Sequence, residues 1–173
     1  VLQEDRGGSQ ATSAPTRGQP REAASMIFGD RNRAQLRESY LSAWRKFKAG
    51  VPLEPLEKQI AAVIAEHPEY HARLERDESV IDRDFAPEVG QPNPFLHMGL
   101  HLAIRDQIAT NRPAGISTLH AELGAALGSL HDAEHKMQEA LAASLWEAQR
   151  SGKLPDEAAY LERGRRLARR SNR

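Results

Sequence analysis

The stretch that most limits what this chain can become runs from Asn93 to Gln107, NPFLHMGLHLAIRDQ. Asn93 suits a helix cap and Pro94 the first helical position, so a helix start is written there. Phe95, Leu96, Met98, Leu100, Leu102, Ala103 and Ile104 cover nearly every face of the helix that starts here, which therefore reads as buried. His97 and His101 lie inside it, four residues apart and therefore on one face. A buried imidazole must be neutral and hydrogen-bonded, or bound to something, because burial opposes its charged form. The pair points to a metal site and leaves open the reaction, if any, done there.

Composition narrows the chemistry. The 173 residues suffice for one domain with a sizeable core. Zero net charge gives no global preference for nucleic acid or an acidic surface. The absence of cysteine removes disulfides, thiolate zinc sites and cysteine nucleophiles together. No apolar run approaches the ~20 residues of a bilayer crossing, and the N-terminal segment lacks the pattern of a secretory signal. A cytoplasmic protein with no membrane partner is expected.

Residues 1–25 are rich in Gly, Pro, Ser, Thr and Ala without periodic apolar positions, and are expected to be a disordered extension, either dispensable or a tether. A helical domain is expected over 26–162 and an arginine-rich tail over 163–173. Asp30 would cap a helix from about Arg31 to Lys48, with Leu36, Tyr40, Trp44 and Phe47 at core spacing. A second helix spans about Pro55 to Glu66, with Leu56, Ile60, Val63 and His67 in one stripe. Prolines, a glycine and scattered acids make about 75–92 a long connection. After the central helix, NRPAGI forms a turn and a shorter helix covers about Ser117 to Leu127. Ser129 with Asp132 has the capping-box pattern for a long helix to about Arg150, and Pro155 with Asp156 starts the last. No run alternates with period two, so the fold class is all-α, a bundle of five or six helices with inward-facing histidine pairs.

Six of the seven histidines form three i, i+4 pairs: His67 with His71, His97 with His101, and His131 with His135. Random placement would give roughly a quarter of one such pair. On a helix this spacing lets two imidazoles reach one ion at ~2.0–2.1 Å. Glu139 extends the third pair into a three-residue ligand comb, HxxxHxxxE. Pro68 interrupts the first pair and threatens its shared face, leaving His67 the alternative role of a helix cap. His120 has no helical partner and reads as a surface residue. Imidazole suits zinc or iron first, with nickel and copper as further options, and does not suit magnesium or calcium.

Other residues carry weaker signals. HDAEH matches the H-x-x-E-H pattern of inverted zinc peptidases, in which Glu134 would be a general base; a solvated helix glutamate is the preferred reading. Arg105 could hold an anionic substrate or orient a carboxylate, against the preferred reading of a surface ion pair. RGRRLARRSNR at 163–173 carries six arginines and no acid. Such a run can meet nucleic acid, although arginines also favour a helix C-terminus, and that plainer role weighs against nucleic-acid contact.

HPEYH at 67–71, NPFLHMGLHLAI at 93–104, RPAGI at 112–116, HDAEH at 131–135 and LWEAQRSG at 145–152 together resemble an uncharacterised bacterial family, domain of unknown function eighteen-forty-one. The resemblance covers roughly Met26 to Leu161. It implies that the paired histidines belong to a family pattern, which does not clearly include Glu134. Many members carry a second proline where this chain has Ala114. The resemblance supports a site without naming its job. The expectation is therefore a transition-metal-binding helical bundle, as an enzyme a metal-dependent hydrolase or transferase of unknown small-molecule substrate. The alternative is a non-catalytic interaction module whose histidines only pack and whose basic tail contacts nucleic acid.

Overall fold

The computed structural model describes residues 20–76 and 93–171, and among them every regular element is an α-helix. They are α1 Pro20–Lys48, α2 Pro55–Ala65, α3 Pro68–Arg76, α4 Pro94–Thr110, α5 Ile116–Leu127, α6 Leu130–Ser151 and α7 Glu157–Ser171. The expected disorder of 1–25 falls largely outside the described residues, as does most of the expected connection at 75–92. No described helix is long and apolar enough to cross a membrane.

Local chemistry sets the boundaries. The Asn93 side chain accepts from the Phe95 and Leu96 amides at 3.0 and 3.2 Å, and Pro94 sits next, where no intrahelical donor is required. Ser129 accepts from the Asp132 amide at 3.1 Å to open α6, and Asp156 accepts from the Ala159 amide at 2.9 Å ahead of α7. Gly128 and Gly152 end α5 and α6 in the left-handed conformation that glycine adopts at least cost. Two expectations need correction. The helices number seven among the described residues, because Pro68 ends one helix and starts α3 at its own first position. Residue Asp30 lies inside α1, which begins at Pro20. The arginine-rich end continues α7 as far as Ser171, with Arg169 and Arg170 in its last turn, the plainer of the two roles expected of these arginines.

Two hydrophobic cores form. Tyr40, Trp44, Ile60, Val63, Ile64, Tyr70, Leu74, Phe95 and Met98 join α1, α2, α3 and the start of α4. Ile104, Ile116, Leu119, Leu123, Met137, Leu141, Tyr160 and Leu161 join the rest of α4 to α5, α6 and α7. Gly164 permits the close approach of α7 to α5, since a Cβ there would overlap a Leu119 methyl. Periodicity overstated the core at Leu36, Phe47 and Leu56, which are exposed, and Leu96 shows that α4 is not buried all round. The helix α4 serves both cores and packs on α2, α5 and α6. Its histidines fall at the seam between them.

Candidate metal centre

Five imidazoles meet at that seam. His67 comes from the α2–α3 junction, His97 and His101 from α4, and His131 and His135 from α6. The His67 ring centre lies 4.8 Å from that of His97, 4.6 Å from His101, 4.9 Å from His131 and 5.8 Å from His135. The ligating atoms of His67, His97, His101 and His135 all lie within 4.8 Å of one another. His67 and His101 are fully buried, whereas His97 and His135 are half-buried.

Hydrogen bonds fix which nitrogen faces the middle. His67 Nδ1 lies 2.6 Å from the Val63 carbonyl, and His101 Nδ1 lies 2.6 Å from Glu134 Oε2. Both partners can only accept, so each Nδ1 carries the hydrogen and, in the neutral ring, each Nε2 keeps a lone pair. Around that lone pair, His97 Nε2 stands 3.1 Å from His67 Nε2 and 3.3 Å from His135 Nε2. Neutral imidazoles cannot satisfy this arrangement. A single hydrogen on His97 Nε2 serves one neighbour and leaves the other contact without a proper bond. His101 Nε2 is buried with no partner at all. A cation among the four nitrogens would take up these lone pairs. Donors ~2.0–2.1 Å from a tetrahedral ion stand about 3.3–3.4 Å apart, near the two Nε2–Nε2 distances above, in a group whose ligand atoms all fall within 4.8 Å of one another.

Electrostatics act in the same direction. Burial, reinforced by His101, His67 and His135, pushes His97 down to about 4. Burial also lowers His67 and His135, the first against the opposing Val63 hydrogen bond. These rings are therefore neutral near pH 7, the form that ligates.

Behind His101 stands a charged support. Burial works to raise the Glu134 carboxyl, but hydrogen bonds from His101 and Arg105 and the Arg105 charge outweigh it, holding it at about 2. Arg105 Nε donates to both Glu134 oxygens at 3.0 Å, and its Nη2 reaches Glu66. A carboxylate that orients a ligating histidine is the usual outer partner of a metal-bound imidazole. His131 Nδ1 is buried without a hydrogen bond, 3.4 Å from Glu66 Oε2, and its ring stacks on His101 at 5.2 Å. His101, His131 and Glu134 form a second group with metal-ligand spacing. The Arg105 guanidinium already occupies the cationic place beside Glu134.

The expected site residues divide accordingly. His67, His97, His101, His131 and His135 come together. His71 does not: after Pro68 its ring tilts against Trp44 at 4.6 Å, and its Nε2 donates to the Ile64 carbonyl at 2.8 Å. Glu139 does not join the nitrogens either, being exposed and paired with Lys136 at 2.6 Å. Its register carries it one turn past His135 to a surface depression lined also by His97, Leu100, His135, Gln138 and Ala142. Glu134 is neither solvated nor free to act as a base, and Arg105 does both things expected of it, orienting that carboxylate and pairing with the exposed Glu66. His120 stands apart, on the Leu130 carbonyl at 3.4 Å. Sequence reasoning missed Glu66, whose only signal is its place beside His67. On the arginine-rich segment, Arg163 pairs with Glu147 and Arg169 with Glu162, each at 2.7 Å.

No curated protein and no solved structure matches the chain. One family's sequence profile matches residues 32–166, a span from within α1 to within α7 that holds all five clustered histidines. The chain belongs to that family, described as a domain of unknown function (DUF1841).

Proposed function

We propose that this protein is a transition-metal protein that holds one ion on His67, His97, His101 and His135, with His131 as an adjacent fifth imidazole. The observation that carries the reading is the convergence of inward Nε2 atoms at 3.1 and 3.3 Å beside the partnerless Nε2 of His101. An interior filled with packed histidines would not leave a fully buried nitrogen such as His101 Nε2 unpaired, since each unsatisfied buried polar atom costs about 1–3 kcal/mol. All-nitrogen donors favour zinc or iron, then copper or nickel.

In this reading His67 and His101 are the fixed anchors, held by Val63 and by the Glu134–Arg105 pair. His97 and His135 form the side that solvent reaches. Four nitrogens alone close a tetrahedral shell, as in a structural ion. With a further position open on the solvent side, such an ion would polarise an oxygen ligand or lower the pKa of a bound water, which fits a metal-dependent hydrolase or transferase. The test is elemental analysis of the untagged full chain after dialysis, alongside His67→Ala and His101→Ala variants. The expected result is about one ion per chain in the wild type and loss in both variants. Absence of metal, with no uptake of added Zn(II) or Fe(II), overturns the proposal.

A further inference from the structure

One buried polar group near the centre remains unexplained by the ligand set. Gln138 is 7% exposed, and its Nε2 has no hydrogen-bond partner. It lies one turn beyond His135 on α6 and lines the depression onto which His97 and His135 open. A buried amide N–H with nothing to donate to is costly, so its place beside the open side of a metal centre calls for an acceptor. Leu100 and Ala142 make the remaining wall apolar, and the rim carboxylate Glu139 is already bound by Lys136.

Charge selects the kind of acceptor. The four histidines are neutral donors, and the Glu134 carboxylate behind them is matched by Arg105. A divalent ion held by these neutral donors would keep a net positive charge facing the solvent side, which a small anion would reduce.

Resting on the metal reading above, we propose that the depression between His97 and His135 is a binding site for a small monoanion. The anion ligates the ion directly and accepts a hydrogen bond from the Gln138 amide. It adds to the nitrogen donors, as zinc-like centres allow when they expand to five ligands. Gln138 is in these terms a binding residue for the exogenous ligand, not a metal ligand.

The test loads the full chain with Co(II) and follows its visible absorption during titration with sodium azide, with sodium formate as a second probe. Saturable spectral change is expected in the wild type. Gln138→Leu and the better shape match Gln138→Met should weaken azide binding roughly 10-fold, the worth of one hydrogen bond, at unchanged Co(II) stoichiometry. Stoichiometric Co(II) binding with no spectral response to either anion overturns the anion site and leaves the metal reading standing. A response of equal affinity in wild type and both variants overturns the role of Gln138. Failure to take up Co(II) removes the metal reading and this inference with it.

Discussion

At the α2–α3 junction and on α4 the same frame, His-x-x-x-His, ends in different places. On α4 the helix is continuous, so His97 and His101 stack on one face and both reach the cluster. At the junction Pro68 begins a new helix between the two residues, and the partners turn apart. His67 enters the centre while His71 packs on Trp44 in the first core. Histidine spacing thus acquires meaning only from the backbone that carries it. The cluster itself holds a second contrast: the buried members, His67 and His101, have their outer nitrogens tied to acceptors, and the half-buried His97 and His135 face the depression.

These contrasts can be broken in order of effect. The largest loss should come from His101→Ala, which removes a fully buried donor and strands Glu134 with Arg105. Metal affinity is expected to fall by more than about 100-fold in a chelator competition; an unchanged affinity would place the ion elsewhere. Glu134→Gln keeps the shape but weakens the hold on His101, and should lower affinity about 10- to 100-fold by the same measurement.

Acid provides the third test. His97 has a value of about 4 when folded, against an ordinary 6.5. Between those values the unfolded chain binds the extra proton and the folded chain does not. The stability that this group contributes is therefore present above about pH 6.5 and lost as pH falls towards 4. Urea unfolding of the metal-free protein across that window should show declining stability, and His97→Ala should flatten the decline.

The smallest effects belong to the residues that share the spacing without the place. His71→Ala should leave metal stoichiometry intact and cost about 1 kcal/mol through the lost Ile64 hydrogen bond, read by urea unfolding. Glu139→Gln should likewise keep the metal, with no measurable change in stability. Metal loss in either variant would erase the distinction between the two frames.

Much of the fold was legible because its signals are local. Asn93, Pro94, Ser129 and Asp156 mark helix starts through short-range hydrogen bonds, and the α4 and α6 pairs need only an unbroken helix to align. What the sequence could not express is the facing of one helix upon another. Glu134 is a helix glutamate until α4 brings His101 and Arg105 opposite it. Glu66 gains its role only because Arg105 reaches across from α4. For the same reason Leu36 and Leu56 keep the right period yet face outward, since period alone does not say whether a neighbour arrives to cover them.

One rod passes through both halves of this molecule. Met98 is seated in the aromatic-rich half and Ile104 in the aliphatic one, with His101 midway between them along α4. A disturbance in either half is expected to reach the same donor, since less than two turns of backbone separate it from Met98 or Ile104. Damage inflicted on the two sides at once should therefore fail to sum, because each blow displaces an imidazole that the other has already moved.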